Sequence, residues 1–385
     1  MPSPPFRGTA AGARRAAAAL WLVVLATSAH AGWFDKFKDP DDGAFDMGDW
    51  LLDQRGFLPM PIIITEPAVG FGAGVVATFF RESIREAASR KTEDGRLAPP
   101  DIYALGGAAT ENGTWVGMAG GMVNFDQGRY RWRGGVSRMS VNLDFFGIGG
   151  QGRPLSYNLD GWASVQEGMA RLGGSDVWLV ARWNYLDLKN RFDVEGAPAL
   201  SNLERATRAS GLGFSVEVDT RDNIFTPSRG WYGAVDANFY DPDWGSDTRF
   251  QSYRGYGFLY VPIGQDVVLA GRLDGRSANG RVPFFMLPSV DLRGVPAARM
   301  QDRRTGVVET ELRWNVTPRW ALVGFVGGGR AWGTTTDFSD GNGTSAYGVG
   351  FRYFIAKRLG LYAGIDVAKS TLDHAIYLVL GSAWR

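Results

Sequence analysis

The chain has 385 residues, and its 41 Lys+Arg against 40 Asp+Glu leave a formal net charge of +1, so no basic excess points to nucleic acid and no acidic excess to a cationic partner. Beyond the first apolar run, no segment approaches the roughly 18 to 20 uninterrupted apolar residues of a membrane-spanning helix, which excludes a helical membrane protein. Fifty-three glycines, 14 tryptophans and no cysteine remain compatible with a membrane barrel exposed to an oxidising compartment, because barrel strands hide from hydropathy when half of each faces the lumen.

The N-terminus reads as an address. Arg14 and Arg15 precede an apolar run from Ala16 to Ala26, and Ala29-His30-Ala31 is a small-x-small cleavage site before Gly32. Residues 1–31 are therefore expected to be a secretory signal peptide. A twin-arginine signal is the competing reading of Arg14-Arg15, but it lacks the flanking polar and bulky residues. Residues 32–55 are rich in aspartate, from Asp35 to Asp53, and read as a short periplasmic lead-in with a small helix over Met47 to Asp53. Its plain interpretation is a solvated tail, too short for a folded domain of at least about 50 residues.

From residue 56 to 385 the text is strand, turn, strand. Sixteen segments are expected: 57–66, 69–81, 101–111, 114–125, 129–143, 158–171, 175–188, 205–219, 229–241, 247–261, 265–277, 304–317, 319–332, 344–356, 358–369 and 374–384. Most exceed the usual soluble length of about 5 to 6 residues and suit the roughly 9 to 11 needed to cross hydrocarbon. The long connections at 144–157, 189–204, 278–303 and 333–343 all follow odd-numbered strands. Tight turns at Pro262-Ile263-Gly264, Pro318 and Lys357 follow even ones, as expected of a barrel entered from the periplasm. Arg81 to Pro100 breaks this parity: it is either a periplasmic excursion, helical over Glu82 to Arg90, or a sign that the first strand is misplaced.

Alternation carries the same message. Val308, Thr310, Leu312, Trp314 and Val316 oppose Glu309, Glu311, Arg313 and Asn315, one apolar and one polar face. Such acids are costly in a dry core but tolerable in an aqueous lumen. Leu212, Phe214, Val216 and Val218 oppose Ser215, Glu217 and Asp219 in the same way. Between Arg133 and Met139 the pattern reverses, which predicts a bulge near Ser137. On strand 319–332, Trp320 and Trp332 bracket twelve residues at about 3.3 Å each, which with tilt matches the spacing of two interfacial aromatic girdles.

Three stretches resemble the outer-membrane barrels of the surface-antigen superfamily, which includes BamA, TamA and the two-partner secretion transporters. Asp219-Thr220-Arg221-Asp222-Asn223 with Pro227-Ser228-Arg229-Gly230 is similar to that family's periplasmic turn. Leu292-Arg293-Gly294-Val295 is similar to its sixth-loop signature, and Phe325-Val326-Gly327-Gly328-Gly329 stands where the family writes F-x-D-x-G. The resemblance implies an all-β fold: an antiparallel transmembrane β-barrel of about sixteen strands with an inward-folded sixth extracellular loop. It also implies that Arg293, beside Gly294, pairs with Glu311 on strand twelve to form a loop-to-lumen clamp. The family's second acid is replaced by Gly327, leaving Glu309, Glu217 or Asp219 as substitutes. The family's periplasmic substrate-receiving domains, some 75 residues each, do not fit into residues 32–55. Tyr377 and Trp384 resemble the C-terminal signal read by barrel-assembly machinery, displaced by one residue because Arg385 is last.

Chemistry is not expected. His30 lies in the leader and His374 beside Asp373 reads as a rim residue, so no serine nucleophile has an evident base. No metal-ligand spacing, cofactor motif or phosphate loop is apparent. The chain is expected to be a non-enzymatic barrel of a Gram-negative outer membrane. Its expected surroundings are lipids and lipopolysaccharide, with a polypeptide or small solute as substrate. Two functions are carried forward: an assembly- or translocation-type barrel opening at a seam between strands one and sixteen, and a passive narrow channel or structural barrel.

Overall fold

The computed structural model describes residues 35–89, 100–150, 152–193 and 204–384; the signal-peptide assignment lies outside them. Sixteen strands run in order, β1 (Gly56–Ile64), β2 (Gly72–Phe80), β3 (Ile102–Thr110), β4 (Trp115–Phe125), β5 (Tyr130–Phe145), β6 (Leu155–Arg171), β7 (Val177–Asp193) and β8 (Glu204–Asp219) making the first half. The second half is β9 (Gly230–Tyr240), β10 (Phe250–Ile263), β11 (Val267–Gly280), β12 (Arg304–Asn315), β13 (Trp320–Trp332), β14 (Asn342–Ala356), β15 (Leu361–Ser370) and β16 (His374–Leu380). Every strand pairs antiparallel with its sequence neighbours in one sheet ordered β1 to β16. Helix α1 (Gly48–Leu52) precedes β1, and α2 (Ile84–Ser89) follows β2. The connection after β2 thus carries the helical excursion, and the first strand stands where expected.

Exposure separates the two faces. On β12, Val308, Leu312 and Trp314 are exposed while Val307, Glu309 and Arg313 are buried. On β8, Leu212, Phe214 and Val216 are exposed against buried Ser215 and Glu217. Apolar side chains thus coat the outer wall, where lipid replaces water, and the charged set points inward.

Two expectations about the walls need correction. The β5–β6 ladder runs without interruption from Tyr130↔Ala170 to Phe145↔Leu155, so no bulge exists at Ser137. Met139, Val141 and Leu143 share the inward face with Arg133, and there they pack with Tyr157, Leu159, Phe284 and Phe285. The pattern reverses because the upper lumen is filled by apolar residues of the connection after β11, not because the strand flips. The register shift lies instead in β14, between Phe354 and Ala356. The second concerns the polar inner face that alternation predicts: on β1–β4 it is largely apolar, with buried Thr78 across from Leu58 the exception. Leu58 and Phe80 are buried there, and Met60 pairs with Val76 and Gly106 with Met118.

The strands are uneven. β1, β2 and β3 have nine residues and β16 has seven, whereas β6 and β7 have seventeen. At about 3.3 Å per residue, the wall is lowest on either side of the place where β1 and β16 meet. Those two strands share no ladder among the described residues.

Candidate functional site

The connection Arg281–Arg303 lays its middle against the inner faces of β12 to β15. Val290, Leu292, Val295 and Met300 form a buried cluster with Val307, Ala331 and Ala346. Glycines make the room. A Cβ on Gly329 would lie 2.4 Å from Val290, and one on Gly327 would lie 2.8 Å from Leu292. Any side chain at 327 would press on Leu292 Cδ1 and on the Val308 carbonyl, each at 2.8 Å.

Arg293 is the hub. Its Nε donates to Glu309 Oε1 at 2.6 Å and its Nη1 to Asp366 Oδ2 at 3.0 Å. Glu311 Oε2 stands 2.8 Å from Nη1 as an ion pair but lacks hydrogen-bond geometry. The guanidinium carbon sits 3.5 Å from the centroid of Phe325, a stacked geometry that a planar cation favours. Asp366 is also gripped by Arg352 at 2.5 and 2.9 Å. Arg272, directly across the ladder from Glu309, lies 3.7 Å from it. Three guanidinium groups thus face three carboxylates in a nearly dry space. Arg272 also donates to Asp274 at 3.0 Å and to Asp291 at 2.9 Å, so every ion here has an opposite charge beside it, the condition under which buried ions are tolerated.

Gly294 is required twice over. Its φ is +85°, and a Cβ would press against Ala368, Lys369 and Ser370 at 3.3 Å. The close approach lets its N–H donate to the Tyr377 hydroxyl at 2.9 Å and its carbonyl accept from Ser370 at 2.7 Å. Three residues on, the Ala297 N–H donates to Glu66 Oε1 at 2.9 Å. Glu66 lies in the turn after β1 and Tyr377 in the middle of β16, so this one loop links the two strands that share no ladder.

Several assignments change. Glu309 does hold Arg293, but Glu217 and Asp219 do not. Glu217 pairs with Arg133 at 3.2 Å, and Asp219 folds back on Arg221 at 2.7 Å. Both sit on strand β8, whereas Arg293 lies over β12 to β15. Asp366 was missed, although a lone carboxylate between Ile365 and Val367 in an alternating strand is the signal that would have found it. Trp384 ends no strand. β16 stops at Leu380, Gly381 turns the chain at φ +79°, and Trp384 is buried against Phe258 with its indole N–H donating to Glu309 Oε2 at 2.9 Å. Tyr377 and Trp384, expected as an assembly signal, bond in the folded barrel to Gly294 and Glu309.

The 219–230 turn is built by its side chains. Asp222 accepts from the N–H groups of Ser228 and Arg229 at 2.9 and 3.2 Å. Asn223 accepts from Phe225 and Thr226 and donates to the Leu359 carbonyl at 2.8 Å. Gly230 has φ +94° and no room for a Cβ beside Thr220. Arg313 of β12 donates to the Pro227 carbonyl at 3.1 Å and the Ser228 hydroxyl at 2.9 Å, so the turn is tied to the inner face of β12. His374 is exposed, 3.5 Å from Asp373. Among the described residues no cluster of ligating side chains has metal geometry.

A cleft of about 960 Å³ opens at the seam, lined by Pro61, Ile62 and Ile63 on one side, Leu378 and Leu380 on the other, and Arg293 at its base. The comparisons with known proteins agree with this architecture. Residues 179–356 match the Omp85 superfamily domain. Among solved structures, BamA from Haemophilus ducreyi lacking POTRA domains 1–3 superposes with a TM-score of 0.59 at 12% identity over 85% of this chain and 69% of that one. CdiB from Acinetobacter baumannii gives 0.52 at 10% identity over 85% and 60%, and CdiB from Escherichia coli 0.54 at 9% over 84% and 62%. At these identities the likeness is one of fold, and the chain spans less than two thirds of either CdiB. No curated protein matches the chain.

Proposed function

From a sixteen-stranded outer-membrane barrel that carries an Omp85 superfamily domain over residues 179–356, we propose an assembly- or translocation-type barrel that works by parting β1 from β16. The superfamily domain supports a general role in outer-membrane transport or biogenesis; the lateral route is the finer reading. The observation that carries it is the missing β1–β16 ladder among the described residues, beside a loop bonded to the turn after β1 and to β16. Pro59 and Pro61 remove two donors from β1, as befits an edge that is left unpaired or paired transiently. Ile63 on one lip and Leu378 and Leu380 on the other are exposed and present grease to lipid, while Ile62 and Arg293 line the cleft between them. Such a slot suits an amphipathic β-segment, whose apolar face meets lipid and whose polar face meets the lumen.

Planar-bilayer recording tests the proposal. The intact protein is expected to rest nearly closed, and excising residues 283–301 to open it. A steady large conductance from the intact protein would overturn the proposal in favour of a passive channel.

A further inference from the structure

We propose that the acidic segment before β1 is a strap that fastens the seam from the periplasmic side, the counterpart of the loop that fastens it outside. This rests on the seam being the moving part. Residues 35–53 are joined to β1 through Gly56, yet Asp39 to Met47 make their contacts on the far side of the unpaired edge, beyond β16, while Asp49 and Asp53 meet Arg85 on the near side. Arg319, in the turn between β12 and β13, is buried. It donates to Asp39, to Asp42 at 2.8 Å and to Asp46 at 2.6 Å. Backbone bonds set the register: the Met47 N–H donates to the Ile355 carbonyl at 2.6 Å, and the Lys357 N–H to Asp46 Oδ2 at 3.0 Å. The Tyr353 hydroxyl donates to the Phe45 carbonyl at 2.9 Å. Phe37 is buried between Phe45 and Trp50, with ring centroids 5.9 and 5.5 Å away.

Asp49 in α1 shows the bridging most directly. Its Oδ1 accepts from Arg85 of α2, on the β2 side, at 3.0 Å and lies 3.0 Å from Arg358, in the turn after β14. One carboxylate therefore holds a guanidinium from each side of the seam. These outer pairs are half-exposed and individually weak. Arg319 is buried with Asp39 and Asp46 while Asp42 is exposed, and covalent attachment to β1 supplies the other end of the strap. Parting β1 from β16 at the periplasmic end must therefore stretch residues 54–55 or pull the aspartates off Arg319. The arrangement makes strap release a precondition of opening.

The chain has no cysteine, so spin labels at Ile62→Cys and Val379→Cys report the seam width without background. The intact protein in lipid is expected to give one narrow distance. Arg319→Ala is expected to raise the long-distance population several-fold. Because that variant is open to misfolding, a second form carries a site-specific protease sequence after Gln54 and is cut only after the barrel has folded. Cutting is expected to give the same broadening with Arg319 intact. If neither change moves the distances while Arg293→Ala does, the strap is not a fastener and the seam reading stands. If none of the three moves them, both fall.

Discussion

At Arg293 one side chain meets Glu309, Asp366, Glu311 and the ring of Phe325 within bonding or stacking distance. Removing one member of a buried, balanced ion cluster strands the remainder, at a typical cost of about 3 to 5 kcal/mol. Arg293→Ala is accordingly expected to lower the temperature at which the heat-modified band is lost on gels. Arg293→Lys should rescue little, since an ammonium has no planar fork to span several carboxylates. Gly327 makes the opposite case. Restoring the family's acid with Gly327→Asp places a Cβ 2.8 Å from Leu292, so it is expected to destabilise despite adding a partner for Arg293. Pairing it with Leu292→Ala should recover part of the loss in the same melting assay, because the Val308 carbonyl remains 2.8 Å from the added Cβ. Equal melting of the single and double variants would show that the steric account is wrong.

At the scale of elements, the same few segments recur as fasteners. The 219–230 turn is tied to the β14–β15 turn through Asn223 and to β12 through Arg313. Asn223 has three hydrogen bonds to lose, each worth about 0.5 to 1.5 kcal/mol net. Asn223→Ala is expected to loosen this turn, read as faster hydrogen exchange over residues 222–230 with the outer half of the barrel unchanged. The tail after Leu380 turns inward and buries an indole on Glu309. It reads as a strand by alternation alone, but a residue that finds an acceptor inside the lumen gains more there than by continuing an edge with no partner.

For the whole molecule, the barrel is a sheet closed by side chains rather than by a ladder at its last joint, with a loop outside and a strap inside. The strap's charge state fixes its working range. The Asp42 carboxyl is held down to about 2 by its hydrogen bond from Arg319, so its contribution is complete above the ordinary 3.8 and is lost only as pH falls from there toward 2. Lys357 is raised above its ordinary 10.5 by Asp41 and Asp39, so its contribution is complete below that value and fades as pH rises past it. Seam distances are therefore expected to be constant from pH 8 to 5, and unfastening within that window would contradict the ion-pair account. Raised salt should instead loosen the half-exposed Asp49 pairs first while buried Arg319 holds Asp39 and Asp46.

How much of this was legible follows from range. Strand periodicity, odd–even loop parity and the sixth-loop signature are local patterns in one dimension, and they determined the barrel, its sixteen strands and Arg293 as the residue to watch. The identity of its partners was not local. Asp366 lies 73 residues away and Trp384 reaches Glu309 across 75, so neither pairing leaves a trace in spacing. The acidic stretch before β1 read as a solvated tail because its counter-charge, Arg319, lies 273 residues on from Asp46. Chain alternation tells which side of a wall a residue faces; only closure of the wall into a cylinder decides what it meets across the lumen.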